Sequence, residues 1–153
     1  METNPKQLGN TWEREFCKDL SLWWTKGRDD RVFWRSDSSG AVKGVSELAG
    51  DVKAIKQIGY PLIDHVIIET KRTKDTDVLL EVVRRGKSSK IGKWWDKLLV
   101  ESDKWKRDPM LVIKLVNRTV ICIYRVGYLV EIDHCFEYDG NPIVLWKDFE
   151  REL

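Results

Sequence analysis

The hydrophobic and polar positions of this chain repeat in two ways, one typical of helices and the other of strands. Near the start, apolar side chains recur every three or four residues and predict one face of a helix: Trp12, Phe16, Leu20, Trp23 and Trp24. This helix begins between Pro5 and Gly9, and Gly27 is its expected stop. The same spacing predicts a second helix from about Ile91 to Trp105, which the Asp108-Pro109 pair ends.

Runs of β-branched and aromatic residues predict the strands. The strand-like segments are Arg31 to Arg35, Asp51 to Ile58, Leu62 to Lys71, Met110 to Val116, Val120 to Tyr124 and Tyr128 to Ile132, and Ile143 to Phe149 closes the chain. Gly59-Tyr60-Pro61 indicates a hairpin between the second and third of them. Val78 to Val83 fits a helix or a strand, and Ala41 to Leu48 fits a loop or a single helical turn. This order predicts an α/β domain, a central mixed β-sheet flanked by helices.

Length and composition fit one folded domain. The 153 residues are enough for a single hydrophobic core, and 42% hydrophobic with 34% charged residues is typical of a folded, highly charged protein. The net charge of +2 hides an asymmetry. The segment from Lys71 to Arg107 has twelve basic and six acidic residues, whereas the segment from Glu131 to Leu153 has two basic and seven acidic residues. The basic middle suits a polyanion, although a solvated helix face would give the same count.

The cysteines and histidines indicate neither disulfides nor a zinc site. Cys17, Cys122 and Cys135 are odd in number and far apart, and the first two fit apolar patterns as small buried side chains. His65 and His134 have no partner at zinc-ligand spacing. With no signal peptide and no apolar run of membrane-spanning length, a reducing cytoplasm is the expected compartment.

The candidate chemistry lies at the end of one predicted strand, where Val66 to Ile68 is followed by Glu69-Thr70-Lys71. Because side chains alternate along a strand, Glu69 and Lys71 should point to the same face. Charges at the end of a buried strand are costly unless they are paired or bind a metal. Asp51 opens the preceding strand-like segment and would bring a second carboxylate alongside. This set predicts a divalent-metal site for phosphodiester cleavage, while a surface salt-bridge ladder is the plain alternative.

Three motifs carry a resemblance to a known superfamily. Asp51 and the Glu69-Thr70-Lys71 triplet match the signature of the PD-(D/E)XK nucleases, an acid followed by acid-x-lysine. Gly9 to Phe16 (GNTWEREF) resembles the first helix of archaeal-type Holliday junction resolvases, and Phe33 to Gly40 (FWRSDSSG) resembles their strand and serine-bearing loop. The chain departs from those resolvases in two features: Trp12 in place of a small residue, and a long insertion from Ala41 to Ala49.

The resemblance implies a restriction-endonuclease-like fold and a metal-dependent active site. It places the helix-borne acid Glu13 at the metal with Asp51 and Glu69. The backbone carbonyl of Thr70 would be a further ligand, and Mg²⁺ is the expected cofactor, with Mn²⁺ also accepted. Lys71 would hold the attacking water or balance charge on the phosphorane.

Two other acids are set aside. Glu15 points off the Glu13 face of the first helix and is expected to pair with a lysine in solvent. Asp64 comes before Glu69 on the same predicted strand. An extended chain puts the two about 16 Å apart, which is too far for a shared metal. Asp51 is therefore the better candidate for the first acid.

Basic and hydroxyl side chains around these motifs are candidates for DNA contacts. The serine-bearing loop could bind a phosphate through side chains and backbone amides, and basic residues after the strand motif could line a path for a duplex backbone. An ordinary polar turn and a solvated helix face are the plain alternatives. The candidates are Arg14, Arg35, Ser36, Ser38, Ser39, Arg72, Lys74, Arg84, Arg85, Lys87 and Lys90.

These features together predict a metal-dependent, structure-selective DNA endonuclease, and the resemblance favours a Holliday junction resolvase. Symmetric nicks in a four-way junction require a homodimer with two-fold symmetry, for whose interface Met110 to Val116 and Val120 to Tyr124 are candidates. One alternative is a restriction- or repair-type nuclease that acts on linear duplex or single strands. Another is a DNA-binding module that does not cleave, although such a module has no need of the complete acid and lysine set.

Overall fold

A computed structural model of the protein describes residues 5–36, 49–75, 77–116 and 119–151. Its elements follow in the order α1 (Pro5–Trp24), β1 (Phe33–Arg35), β2 (Val52–Ala54), α2 (Tyr60–His65), β3 (Val66–Thr73), α3 (Asp77–Arg85), α4 (Ser89–Trp105), β4 (Asp108–Leu115), β5 (Val120–Tyr124), β6 (Phe136–Tyr138), β7 (Asn141–Leu145) and α5 (Trp146–Arg151). A short 3₁₀ helix, Gln57–Gly59, precedes α2. The predicted loop residues from Asp37 and the segment Ala41 to Leu48 lie outside the described ranges.

A five-stranded mixed sheet organises the fold. Its strand order is β3-β4-β5-β7-β6, in which β3 and β4 are parallel and the other neighbouring pairs are antiparallel. β1 and β2 form a separate two-stranded antiparallel ribbon. Parallel neighbours need a long crossover, and α3 and α4 supply it between β3 and β4. The predicted α/β fold with a central mixed sheet flanked by helices is confirmed.

Hydrophobic side chains cover both faces of the sheet. On one face α1, α2, α5 and the ribbon form an aromatic-rich core, in which the ring of Trp146 contacts those of Phe16 and Trp23. On the other face α3 and α4 form a second core. Val66 belongs to the first core and Ile67 to the second, so β3 is buried on both faces as expected of a strand in a parallel pair.

The predicted hairpin between Asp51–Ile58 and Leu62–Lys71 is wrong. β2 is only three residues long, and the six residues before β3 form the helix α2. Pro61 lies in the first turn of α2, where a backbone N–H is not required. Leu62 and Ile63 follow it into the core. Burial of this apolar pair in a helical turn therefore overrides the local turn signal.

The helical predictions agree with the structure. α1 and α4 match the two predicted helices, and Val78 to Val83 belongs to the helix α3. The periodicity was ambiguous there, but Val78 and Val82 are buried four residues apart, which is helical spacing. No helix in the described part of the chain is long and apolar enough to cross a bilayer.

The C-terminal third departs most from the prediction. Tyr128 to Ile132 forms no strand, and its carbonyl at Val130 accepts a hydrogen bond from the Tyr124 hydroxyl at 2.8 Å. Ile143 to Phe149 divides between β7 and α5. The short strand β6 at the edge of the sheet carries too few residues for a periodic signal.

The structure also corrects the predicted dimer interface. Met110 to Val116 and Val120 to Tyr124 form β4 and β5, which lie inside the sheet with neighbours on both sides. Nearly all of their side chains are buried beneath the helices of the two faces. Their apolar character reflects the core of the fold, so these two segments are not available as an interface.

Candidate active site

The strand β3 ends in the charged triplet that the sequence singles out. Val66 to Ile68 is buried, whereas Glu69 and Lys71 are half-buried on one face, as the alternation predicts. Lys71 Nζ lies 3.5 Å from Glu69 Oε1. Their register partners on β4, Leu111 and Ile113, belong to the core beneath α3 and α4, so this ion pair lies on the α4 side of the sheet.

Asp51 is docked against the free edge of β3 by three hydrogen bonds. Its backbone N–H donates to the Ile68 carbonyl at 2.8 Å. Its Oδ2 accepts from the backbone N–H of Thr70 at 2.8 Å and from the Thr70 hydroxyl at 3.3 Å. Gly50 permits this approach, because its φ is 76° and an added Cβ would lie 2.7 Å from the Ile68 carbonyl.

This position of Asp51 differs from the prediction in one respect. Asp51 was predicted to open a strand that pairs beside Glu69, but it lies in the turn before β2, and β2 pairs with β1. The turn contacts β3 through the hydrogen bonds of Asp51 and the close approach of Gly50, instead of through a ladder between β2 and β3. The carboxylate nevertheless arrives beside Glu69, as predicted.

Glu13 reaches the same edge from the opposite face of the sheet. Trp12 anchors this turn of α1 in the aromatic core, and Glu13 is half-buried next to it. Arg35 of β1 places its Nε 3.2 Å from Glu13 Oε2. The backbone N–H of Ser36 donates to the Asp51 carbonyl at 2.8 Å. The ribbon therefore connects α1 to the Asp51 turn.

Burial raises the pKa values of all three carboxyl groups, and the charge of Asp51 raises those of Glu13 and Glu69 further. The pKa of Glu13 is raised by burial and by the charge of Asp51, against the opposing effects of Arg35 and Lys71. Burial also raises the pKa of Asp51, although its hydrogen bonds from Thr70 act in the opposite direction. The pKa of Glu69 rises to about 7, through burial first and the charge of Asp51 second. Three buried carboxyl groups, with Asp51 destabilising the charged form of the other two, form a site short of positive charge.

The donor chemistry fits a hard divalent cation, although the ligands are not preassembled. Asp51 and Glu69 supply carboxylate oxygens, and the Thr70 carbonyl faces the Asp51 edge because it points the same way as the Thr70 N–H. Among the described residues, no three acidic, histidine or cysteine side chains converge as a ready ligand cluster. Glu13 is held by Arg35 on one face and Glu69 by Lys71 on the other. A bound cation would take over part of the role of these two basic partners.

The comparison with known families identifies the family of this chain. A family model described as "Phage putative PDDEXK endonuclease" matches residues 4–128. The chain belongs to this family. The matched range runs from α1 to β5 and includes Glu13, Asp51, Glu69 and Lys71. No curated protein and no solved structure matches the chain. The protein is thus a nuclease of the PD-(D/E)XK superfamily.

One buried side chain next to the candidate site is not among the predicted site residues. Cys17 lies one helical turn after Glu13 and is completely buried. Burial raises the pKa of its thiol to about 12, and the charges of Glu13 and Asp51 act in the same direction. Cys17 is therefore an unreactive thiol close to Glu13 and Asp51.

A second unpredicted neighbour is Lys97 on α4. Its charge lowers the pKa of Glu69, although burial and Asp51 have the larger and opposite effects. The sequence offered no signal for it, because Lys97 is one of several exposed lysines on this helix. Only the crossover from β3 through α4 brings it to the acid.

The acids set aside in the sequence lie outside the site. Lys114 Nζ is 3.1 Å from Glu15 Oε2, so Glu15 pairs with a lysine as predicted. Asp64 is exposed on α2, before β3 begins. Burial lowers the pKa of Arg107, and the charge of Asp64 acts in the opposite direction.

The predicted DNA contacts are spread over several surfaces. Arg14, Lys74 and Lys87 are exposed, Arg72 is half-buried on β3, and Lys90 Nζ lies 3.2 Å from the Thr73 hydroxyl. Arg84 and Arg85 are exposed at the far end of α3, roughly 12 Å along the helix from its start after β3. Arg35 and Ser36 are engaged with Glu13 and Asp51. Ser38 and Ser39 lie outside the described residues.

Proposed function

We propose that this nuclease is a Mg²⁺-dependent DNA endonuclease whose active site consists of Glu13, Asp51, Glu69 and Lys71. The observation that carries the proposal is the burial of Asp51 and Glu69 beside Lys71 at the edge of β3, with the buried Glu13 within reach of their charges. A salt-bridge ladder on the surface would leave these acids hydrated and would not raise their pKa values through burial.

Each residue has a distinct part in this proposal. Asp51, Glu69 and the Thr70 carbonyl would hold the cation, with Glu13 as an outer ligand. Mg²⁺, when bound, would polarise the phosphate and increase the acidity of water. Lys71 is held on the Glu69 face by its ion pair, and from there it can orient the attacking water or stabilise the charge that develops on the phosphate.

Arg35 would change partners during binding. In the free protein it pairs with Glu13 at 3.2 Å. Once a cation neutralises Glu13, the guanidinium can turn to a phosphate oxygen, for which its planar donors are well suited. This is consistent with its predicted role as a phosphate contact.

A pair of glutamine substitutions tests the site. Glu69→Gln keeps the shape of the side chain but removes its charge, so we expect cleavage with Mg²⁺ to fall at least about a hundredfold. DNA binding in the presence of Ca²⁺ should be retained. The matched control is Glu15→Gln on α1, where the exposed glutamate pairs only with Lys114. Unchanged cleavage by the Glu69 variant would reject the site.

For the substrate, we propose four-way junction DNA cut by a homodimer. The resemblance of Gly9–Phe16 and Phe33–Gly40 to resolvase motifs supports this choice. Each of the four strands of a junction would be labelled in turn and incubated with protein and Mg²⁺. Paired nicks at symmetric positions are expected. Efficient cutting of linear duplex or single strands, with the junction left intact, would favour the restriction- or repair-type alternative.

Absence of cleavage with either metal ion would favour the remaining alternative. A DNA-binding module that does not cleave would bind these substrates and leave all of them intact with either Mg²⁺ or Mn²⁺. The same gels, run with and without chelator, separate this outcome from the two nuclease activities.

A further inference from the structure

The helix α4 lies alongside β3 and runs in the opposite direction. Near its start, Lys90 Nζ lies 3.2 Å from the hydroxyl of Thr73, the last residue of β3. Soon after its end, the chain reaches Asp108, which pairs with Val66, the first residue of β3. These two contacts determine which residues of α4 and β3 lie opposite one another.

Lys97 therefore lies level with the charged triplet of the candidate site. It follows Lys90 by seven residues, which is about two helical turns and about 10 Å along α4. The same distance back along β3 from Thr73 covers about three residues and reaches the triplet Glu69-Thr70-Lys71. The effect of the Lys97 charge on Glu69 agrees with this position.

Lys90 and Lys97 are exposed on one flank of α4, because two turns separate them. Trp94 lies between them and packs against the second core, with Lys90 Nζ 6.0 Å from the centre of its ring. One turn beyond Lys97 the flank becomes acidic at Glu101, whose carboxylate accepts a hydrogen bond from the Trp105 ring nitrogen at 3.1 Å. The positive part of the flank is thus confined to the stretch opposite the second half of β3.

The α4 face of β3 carries a second row of side chains along the same stretch. Because side chains alternate along a strand, Glu69, Lys71 and Thr73 lie on this face at two-residue spacing. β3 is the edge strand of its sheet, so this row lies at the border of the sheet. Lys90 and Lys97 span about 10 Å beside it, which is about three nucleotide steps of one DNA strand.

We propose that the cleaved DNA strand lies along this flank of α4, where Lys90 and Lys97 bind phosphates on either side of the phosphate at Lys71. The inference rests on the proposed function, because it names the path of the substrate through that same site. The ammonium groups would bind the backbone as point charges and would not read the bases. Lys97 thereby gains a role that its sequence position did not indicate.

The path leaves out two of the predicted DNA contacts. Arg84 and Arg85 share their surface on α3 with Asp77 and Glu81, so acidic side chains accompany them. The lysines of the α4 flank instead lie beside Lys71, where positive charges of the same sign add to the attraction for a phosphate backbone.

The first test uses the salt dependence of DNA binding. The affinity for a fluorescent four-way junction is measured by anisotropy with Ca²⁺ at increasing salt, for the wild type, Lys97→Gln and Lys90→Gln. Each phosphate contact contributes about 0.9 to the slope of log affinity against log salt, so each variant should lose about that amount. The gap in affinity between wild type and variant should narrow about 3.5-fold between about 50 and about 200 mM salt.

Two further variants serve as controls. Lys97→Arg keeps the positive charge and should keep the wild-type slope. Lys147→Gln removes an exposed lysine from α5, on the opposite face of the sheet, and should also keep it. Circular dichroism would establish that all variants are folded. A wild-type slope in Lys97→Gln, or an equal loss in Lys147→Gln, would overturn the proposal.

The second test removes charge from the DNA instead of from the protein. Uncharged methylphosphonate linkages replace single phosphates, one at a time, along the strands of the junction. At the phosphate that Lys97 binds, the replacement should weaken wild-type binding but not that of Lys97→Gln, which has already lost the contact. The linkage that responds to Lys90→Gln should lie about three nucleotide steps away. Losses that simply add at every linkage would show that Lys97 binds no phosphate.

Neither test depends on cleavage. A junction that the wild-type protein binds but leaves intact with Mg²⁺ would contradict the proposed activity. The slopes and the methylphosphonate linkages would still decide whether the strand follows α4, so the two failures are distinguishable.

Discussion

At the scale of single residues, the site depends on how closely two backbones approach. The Asp51 carboxylate accepts a hydrogen bond from the Thr70 N–H, and the Asp51 N–H donates one to the Ile68 carbonyl. This close approach is possible only because Gly50 has no side chain. The carboxylate is thereby held by the backbone instead of by a flexible side-chain partner. Such support restricts the position of the carboxylate without another charge.

Gly50→Ala should disrupt this arrangement. Both Gly50 and Gly86 have positive φ, 76° and 73°, but an added Cβ meets the Ile68 carbonyl only at Gly50. We expect Gly86→Ala to lower the free energy of unfolding by about 1 kcal/mol through backbone strain. Gly50→Ala should lower it by about 3 kcal/mol or more and should abolish cleavage. Equal losses in chemical denaturation would contradict the close approach.

His134 should titrate above its ordinary range. Its pKa is raised by the hydrogen bond to the Ile132 carbonyl and by Glu137, whose Oε1 lies 3.1 Å from Nε2. Protonated His134 therefore stabilises the fold below a pH of about 6.5, and this contribution disappears as pH rises through the higher folded-state pKa. NMR titration of the ring would measure it. Glu137→Gln should lower the pKa more than Glu131→Gln, since Glu131 lies farther away at 3.9 Å.

At the scale of elements, the crossover helix α4 begins at a defined cap. Ser88 has an extended backbone, and its buried hydroxyl accepts a hydrogen bond from the Ile91 N–H at 3.3 Å. The Ser88 carbonyl in turn accepts one from the Tyr138 hydroxyl at 3.3 Å. The start of α4 is thus tied to the edge strand β6.

Ser88→Ala should destabilise the protein by about 1 kcal/mol, the usual effect of losing a helix cap. The neighbouring Ser89 is exposed within the first turn of α4, so Ser89→Ala should leave the midpoint of thermal unfolding nearly unchanged. Thermal melts followed by circular dichroism would measure both. A larger effect at Ser89 would show that the cap has been assigned to the wrong residue.

The helices and strands also show where prediction from sequence succeeds. α1 and α4 follow from periodic apolar positions over several turns, and Val66 to Ile68 follows from a continuous apolar run. The segment around Pro61 misleads because the same residues suit a hairpin turn and the first turn of a helix. Only the packing of Leu62 and Ile63 in the core decides between the two.

At the scale of the whole molecule, the site is assembled from distant parts of the chain. α1 brings Glu13 from one face, β3 carries Glu69 and Lys71 on the other, and the turn before β2 places Asp51 at the edge between them. In the free protein, Arg35 and Lys71 partly balance the acids. A cation that binds all three elements should therefore stabilise the folded state as a whole.

Addition of Mg²⁺ should raise the unfolding temperature of the wild-type protein. A ligand that binds only the folded state contributes about 2.7 kcal/mol at a hundred times its dissociation constant. Glu69→Gln should abolish most of the shift, whereas Glu15→Gln should preserve it. Chelation should reverse the shift and stop cleavage together. Differential scanning fluorimetry would measure the unfolding temperatures. An equal shift in both variants would mean that the metal binds elsewhere.

The sequence by itself determined the helices with long apolar periods, the buried strand β3, and the shared face of Glu69 and Lys71. These follow from local spacing, because helix and strand repeats are properties of neighbouring residues. Only the tertiary structure decided the path around Asp51, the pairing of Glu13 with Arg35, the nearness of Lys97 and the interior position of β4 and β5. These depend on which distant segments pack together, and an apolar residue has the same local pattern in a core as in an interface.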